Sequence, residues 1–315
     1  MTRVGIGDRL VYWLARAAIG VAARVPQWLG YGTASLLGRL FFRLDGRRRG
    51  YALRFLRNAY PGRPDRELLR IGSRATGNLF KVPLDMARLS RLLARGGDVA
   101  EVVDYRQAAA QLAQPKPFLA VTAHLGSWEV AAVAVAQRCG GGHGVARVSK
   151  NPLLQHWILQ NRERGGLVIH PRRGGIRGLA QALAGGQVGL QVVDQNQRLR
   201  GVFAPFFGEI ASCERAAVSL ALRHGYPLVV GVALRSGRGF RFDLVAAAPF
   251  ALQRTGDKAN DLRAAVGQVN TAIEGLIRRA PDQYLWIHDR YRTRPPSGGE
   301  AHGDDAVDED GDDAT

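Results

Sequence analysis

Between residues 115 and 245 short apolar runs alternate with longer segments in which apolar positions recur every three or four residues. The runs are Phe118 to Thr122, Gly144 to Val148, Leu167 to His170, Val188 to Val193, Leu228 to Leu234 and Phe240 to Val245. Between and after them lie Trp128 to Arg138, Leu153 to Arg164, Gly174 to Ala184, Glu214 to His224 and a long segment near Asn260 to Arg279. Runs of four to eight residues rich in β-branched side chains read as strands, and the longer periodic segments read as helices. Strand–helix alternation of this kind predicts an α/β domain, a mostly parallel mixed sheet flanked by helices. Upstream the pattern is purely helical. Tyr51 to Tyr60 stops at Pro61, and Asp65 to Met86 carries Leu68, Leu69, Ile71, Leu79 and Phe80 at helical spacing.

The first 45 residues differ again. From Arg9 to Arg43 they are apolar apart from regularly placed arginines at 16, 24 and 39, and the longest uncharged stretch, Val25 to Gly38, contains Pro26. A bilayer-spanning helix needs about 20 predominantly apolar residues, so this stretch is short for one. No small-residue cleavage site precedes a polar start, which argues against a removed signal peptide. Helices bearing Tyr12, Trp13, Trp28 and Tyr31 beside arginines are expected to lie in the headgroup layer of an anionic membrane; packing as core helices on the globular domain is the plain alternative. Gly46-Arg47-Arg48-Arg49-Gly50 follows, as a lipid-phosphate contact or a solvated loop. The chain thus divides into membrane-associating helices (1–45), a helical subdomain (46–110), an α/β domain (111–296) and an acidic tail (297–315).

Charge sharpens the choice of partner. The chain has 44 Lys and Arg against 27 Asp and Glu, but eight of the acids fall in the last sixteen residues, which hold no Lys or Arg. That leaves 19 acids against all 44 cations, a net +25 over residues 1–299. Such a body suits nucleic acid, an anionic membrane, or an acidic protein together with a phosphorylated substrate. No helix-turn-helix, RNP or zinc pattern is present, and nucleic acid would not require the apolar N-terminus, so nucleic acid is not expected. The tail is too charged to fold. Cys139 and Cys213 are too far apart in sequence to suggest a metal cluster or disulfide framework. No P-loop or dinucleotide fingerprint appears, and no Gly-x-Ser-x-Gly elbow of a serine hydrolase.

Candidate chemistry sits at Thr122-Ala123-His124-Leu125-Gly126-Ser127-Trp128-Glu129. Within one continuous helix residues five apart lie roughly 140° apart around the axis, so His124 and Glu129 meet only if a helix begins between them. Gly126 permits a turn, and Ser127 is a good N-cap for the helix opening at Trp128. Glu129 in the first turn is then expected to accept the imidazole N–H of His124, as an acid orients a general base. A loop histidine near an ordinary helix-start glutamate fits the same spacing.

Four blocks, in order, carry a resemblance: Thr122 to Glu129, with its H-x-x-x-x-E; Asn161-Arg162-Glu163-Arg164-Gly165-Gly166; Asp194-Gln195 followed by Gly201-Val202-Phe203-Ala204-Pro205-Phe206-Phe207-Gly208; and Ala280 to Pro295, with Trp286-Ile287-His288-Asp289-Arg290. Across roughly residues 8 to 296 the chain resembles the lauroyl/myristoyl acyltransferases of bacterial lipid A biosynthesis, a lysophospholipid acyltransferase group that also contains the phosphatidylinositol mannoside acyltransferases. One departure is Ala211-Ser212-Cys213-Glu214-Arg215, where the family has a threonine-rich, glycine-containing turn; substrate contacts there are open.

The resemblance implies an acyltransferase-like fold with a membrane-associated N-terminus at the cytoplasmic face of the inner membrane. It implies acyl carrier protein as donor and a hydroxyl of an anionic lipid A precursor as acceptor. A phosphatidylinositol mannoside or another lysolipid is the alternative acceptor, and a basic membrane- or nucleic-acid-binding protein the non-enzyme alternative. His124 would be the general base and Glu129 its orienter. Arg164, Asp194, Gln195, His288 and Arg290 would contact substrate, although an ion pair for Arg164, a helix cap for Asp194 and an aromatic structural lock around His288 and Arg290 are the competing roles. No metal or organic cofactor is called for, since a thioester is already activated.

Overall fold

A computed structural model describes residues 5–146, 149, 151–172 and 174–295. The helical first third comprises α1 (Ile6–Ala22), α2 (Gln27–Leu44), α3 (Gly46–Ala59), α4 (Asp65–Leu79) and α5 (Val82–Ala94). The arginine cluster is not a loop: Asp45 accepts from the Arg48 backbone N–H, caps α3, and puts Arg47, Arg48 and Arg49 in its first turn. The periodic segment from Asp65 breaks at Phe80 and Lys81, where Pro83 restarts it as α5. Helix α2 crosses α4 closely. A Cβ on Gly38 would press on the Thr76 carbonyl and Gly77, so glycine sets how near the two backbones come.

The rest is an α/β layer structure. Its elements are β1 (Val103–Asp104), α6 (Ala109–Leu112), β2 (Leu119–Thr122), α7 (Trp128–Cys139), β3 (Gly142–Ala146), α8 (Pro152–Arg164), β4 (Leu167–Pro171), α9 (Gly175–Ala184) and β5 (Gly189–Val192). They are followed by β6 (Val202–Phe206), β7 (Glu209–Cys213), α10 (Ala216–His224), β8 (Leu228–Arg235), β9 (Phe242–Ala246) and α11 (Lys258–Arg279). Seven strands order as β1-β9-β8-β2-β5-β3-β4, and every pairing is parallel except β8 with β9. The sheet is mixed and mostly parallel, with helices on both faces, as the alternation requires. Residues 147–148, at the end of one expected strand, and the acidic tail from residue 297 lie outside the described residues.

Two apolar cores sandwich the sheet. One gathers α5 and α7 on Phe118 and Ala120; the other gathers α3, α9, α10 and α11 on Leu119 and Val121. Alternate residues of β2 face opposite cores, which is the period-two geometry of a strand covered on both sides. The antiparallel hairpin of β6 and β7 was not expected from the pattern. It brings Phe206 and Phe207 to Phe55 of α3, where Tyr284, Trp286 and Tyr291 also converge with ring centroids 4.9–5.9 Å from that of Phe55. This aromatic knot ties the chain's last described segment to the helical first third.

Candidate active site

The turn that carries His124 is fixed on every side. Strand β2 ends at Thr122, and α7 begins at Trp128 with Ser127 at the N-cap position, as the sequence predicts, although the serine hydroxyl makes no capping bond. Gly126 has φ +65°, and a Cβ there would overlap the Ala233 carbonyl oxygen, so both conformation and space demand glycine. Leu285 N–H donates to the His124 carbonyl, Gly126 N–H to that of Gln283, and Ser127 N–H to that of Ala233. The turn is stitched to β8 on one side and to the 283–285 segment on the other.

His124 meets a carboxylate, and that carboxylate is Asp194. The His124 backbone N–H donates to Asp194 Oδ2 at 2.9 Å, and Nδ1 lies 2.7 Å from Oδ1. With Asp194 ionised, Nδ1 carries the proton and Nε2 keeps the lone pair; Gln195 Nε2 lies 3.3 Å from it. Burial by itself would lower the imidazole pKa. The charge of Asp194, its hydrogen bond and, more weakly, Glu129 outweigh burial and hold it above the ordinary 6.5. Burial would raise the Asp194 carboxyl, but His124 and the more distant Arg290 keep it below its usual range. Burial first, then the charge of Asp194, raises the Tyr284 phenol well above its ordinary pKa and keeps it neutral.

The expected contact between His124 and Glu129 does not form. Glu129 pairs with Arg162 of α8, Oε1 to Nη2 at 2.8 Å and Oε2 to Nε at 3.3 Å. Helix geometry and strand register together explain the difference. Starting at Trp128, α7 directs its second residue toward α8, whereas Thr122 of β2 stands in register with Val192 of β5, so two residues further on His124 faces Asp194. Arg164, the cation the sequence suggested, is exposed. Residues two apart on a helix face nearly opposite ways, so only one of Arg162 and Arg164 can reach Glu129.

A narrow, largely apolar cavity of about 100 Å³ lies beneath α7. Trp128, Glu129 and Arg162 line it together with Thr122, and small or aliphatic residues such as Ala131, Gly144 and Ala246 line the rest. The Trp128 ring, on the cavity wall, stands 4.7 Å from the His124 ring, centroid to centroid, so one side chain separates the imidazole from the cavity. Two polar atoms on its wall, Thr122 Oγ1 and Gln191 Oε1, are buried without a hydrogen-bond partner. An imidazole held by a buried carboxylate, with its lone pair on Nε2 and an apolar cavity on the far side of Trp128, is equipped to take a proton from a substrate that also carries a hydrocarbon group.

The sequence profile of bacterial lipid A biosynthesis acyltransferases matches residues 3–293. The chain belongs to that family. It is therefore an acyltransferase, and the family implies a lipid A-type acceptor. The chain is 27% identical to the lipid A biosynthesis lauroyltransferase of Escherichia coli K12 over 90% of its own length and 93% of the relative's. It is 31% identical to the palmitoleoyltransferase of the same organism over 46% of each chain. With a lipid A biosynthesis acyltransferase of Haemophilus influenzae it shares 27% over 49% of each.

In this acyltransferase the remaining expected contacts separate. Gln195 is exposed beside His124. His288 lies close by with its Nε2 accepting from the Asn196 N–H at 3.0 Å, and burial holds its pKa below the ordinary value, so it stays neutral. Arg290 does not reach a substrate: it is 1% exposed and donates to the Ser212 carbonyl at 2.7 Å and to Cys213 Sγ at 2.9 Å. It sits over the Phe206 ring and clamps the hairpin, which is the structural role weighed against substrate binding. Sequence reasoning missed Arg162 and Thr122. Arg162 lies in the quoted Asn161 to Gly166 block, two positions before the residue chosen from it. Thr122 had the signal of a polar residue ending an otherwise apolar strand.

Proposed function

We propose that this protein transfers a fatty acyl chain from the thioester of acyl carrier protein to a hydroxyl of a lipid A precursor, with His124 as general base and Asp194 as the acid that orients it. The observation that carries the reading is the paired hydrogen bonding of one carboxylate to the backbone and ring of His124, which keeps the lone pair on Nε2, where Gln195 is the neighbour. The acceptor hydroxyl attacks the thioester carbon as Nε2 takes its proton; the C–S bond then breaks and the thiolate leaves with a proton returned from the imidazolium. The acyl tail occupies the cavity beneath α7, where burying each methylene is worth about 0.8 kcal/mol. Glu129 and Arg162 form a charged rim at its mouth and hold one another in place.

The reaction takes place at a membrane surface in this reading. No described helix is long and apolar enough to cross a membrane. Helix α1 has no buried residue, and Ile6, Trp13 and Leu14 stand more than half exposed, as do Trp28, Leu36 and Leu44 of α2. Apolar rows of this size interleaved with arginines favour the headgroup layer of an anionic bilayer, the cytoplasmic face of the inner membrane. The deciding experiment is His124→Ala, assayed with a dodecanoyl carrier-protein thioester and a lipid A precursor in detergent micelles. Turnover is expected to vanish while binding to anionic vesicles persists; wild-type turnover in the variant sinks the mechanism.

A further inference from the structure

Thr122 is the last residue of β2, two residues of extended chain, roughly 7 Å, from His124. Its side chain is on the cavity wall, and its Oγ1 is buried with no partner. A buried hydroxyl without a hydrogen bond destabilises a fold, and a protein gains nothing structural from retaining one there. Isosteric valine would fill the same space without that penalty. The hydroxyl is a donor in want of an acceptor, on the wall of an apolar cavity two residues along the chain from the base.

We propose that Thr122 Oγ1–H donates a hydrogen bond to the carbonyl oxygen of the bound acyl thioester and to the oxyanion that develops on it. The inference rests on the acyl-transfer reading above and assigns one further catalytic residue to it. When the acceptor oxygen bonds to the carbonyl carbon, the C=O electron pair moves onto oxygen, the nucleophile's proton passes to His124, and Thr122 keeps its own. Collapse of the tetrahedral species re-forms the carbonyl and expels the thiolate, which takes the proton from His124. The other groups at the cavity mouth are less suited. Arg162 is engaged by Glu129 through Nε and Nη2. The unpartnered atom of Gln191 is an acceptor, which a carbonyl oxygen cannot use. Among the described residues, Thr122 is the buried unpartnered donor on that wall.

This assignment makes stability and activity move in opposite directions. Thr122→Val is expected to lower kcat by 10²–10³-fold, the loss typical of removing one oxyanion donor. The KM for the dodecanoyl thioester should stay within about twofold, and the thermal midpoint should hold or rise, because the orphaned hydroxyl is gone. Thr122→Ser, which keeps the donor, should retain kcat to within about tenfold. The pH limb from His124 should be the same in both variants. A kcat within about threefold of wild type in Thr122→Val overturns the proposal. So does a fall of kcat in Thr122→Ser as large as that in Thr122→Val, which marks the methyl packing as the cause. His124→Ala run in parallel separates the two failures: if it too is active the acyl-transfer mechanism is wrong, and if it is inactive only the role of Thr122 is.

Discussion

Two buried carboxylates in this molecule each hold a cation-forming partner, and they differ in one respect. Asp194 binds His124 through its ring and backbone, and the far side of that ring meets exposed Gln195. Asp85, fully buried on α5, binds Arg235 at the end of β8, with Nη1 2.9 Å from Oδ1, and also accepts from the Tyr31 hydroxyl of α2 at 2.8 Å. Arg235 is nearly as buried as its partner. It has no outlet. A sealed ion pair joins α2, α5 and β8, whereas a pair whose second nitrogen meets an exposed side chain can, in the proposed reaction, move a proton.

Asp194→Asn breaks the open pair and should have the largest effect. An amide can present its N–H to Nδ1 and stabilise the wrong tautomer, so kcat should fall on the order of 10³–10⁴-fold, as removal of an orienting acid typically does. The rising limb of kcat/KM in wild type should lie above pH 6.5, because Asp194 favours the imidazolium and the base is freed only at higher pH. In Asp194→Asn burial is opposed only by the weaker Glu129 charge and the residual limb moves to lower pH; a limb that stays put contradicts the pairing. The same pair has a stability window. The raised imidazole contributes fully below 6.5 and loses its contribution as pH rises through the folded value; the lowered carboxyl contributes fully above 3.8 and loses it as pH falls. Both terms are complete between those values.

Breaking the sealed pair should affect the fold first. Asp85→Ala leaves Arg235 buried and uncompensated and should destabilise by about 3–5 kcal/mol in denaturant melts. Activity per folded molecule should change far less than in Asp194→Asn, and an equal loss of kcat in the two would erase the distinction. The smallest contrast lies on α8. Arg162→Ala should lower kcat/KM by at least about tenfold by leaving Glu129 unpaired at the cavity mouth, while exposed Arg164→Ala should stay within twofold. Equal losses would put Arg164 back at the site.

How much could be read from the chain differs between these regions for physical reasons. Strand–helix alternation is local, and it is enough to predict the layer architecture and the junction at His124. The β6–β7 hairpin escaped because Pro205 and Phe206-Phe207-Gly208 look like loop; a proline is tolerated there on a two-stranded ribbon away from the main sheet. The partner of His124 lies 70 residues away and is chosen by strand register, which no spacing within one segment reports. Glu129 was close in sequence, but its direction depends on where α8 packs. Arg290 looked like substrate chemistry from a terminal block rich in His, Asp and Arg, and only packing reveals that it is sealed under the hairpin.

The turn at His124 has no regular secondary structure, yet its polar groups are engaged from several directions at once: the backbone N–H of His124 by Asp194, its carbonyl by Leu285, and the N–H groups of Gly126 and Ser127 by Gln283 and Ala233. Such amides open to solvent only when β8 or the 283–285 segment lets go. Deuterium should therefore enter this stretch as slowly as it enters the central strands. In dynamic terms the base belongs to the core, and whatever must move during a catalytic cycle lies elsewhere.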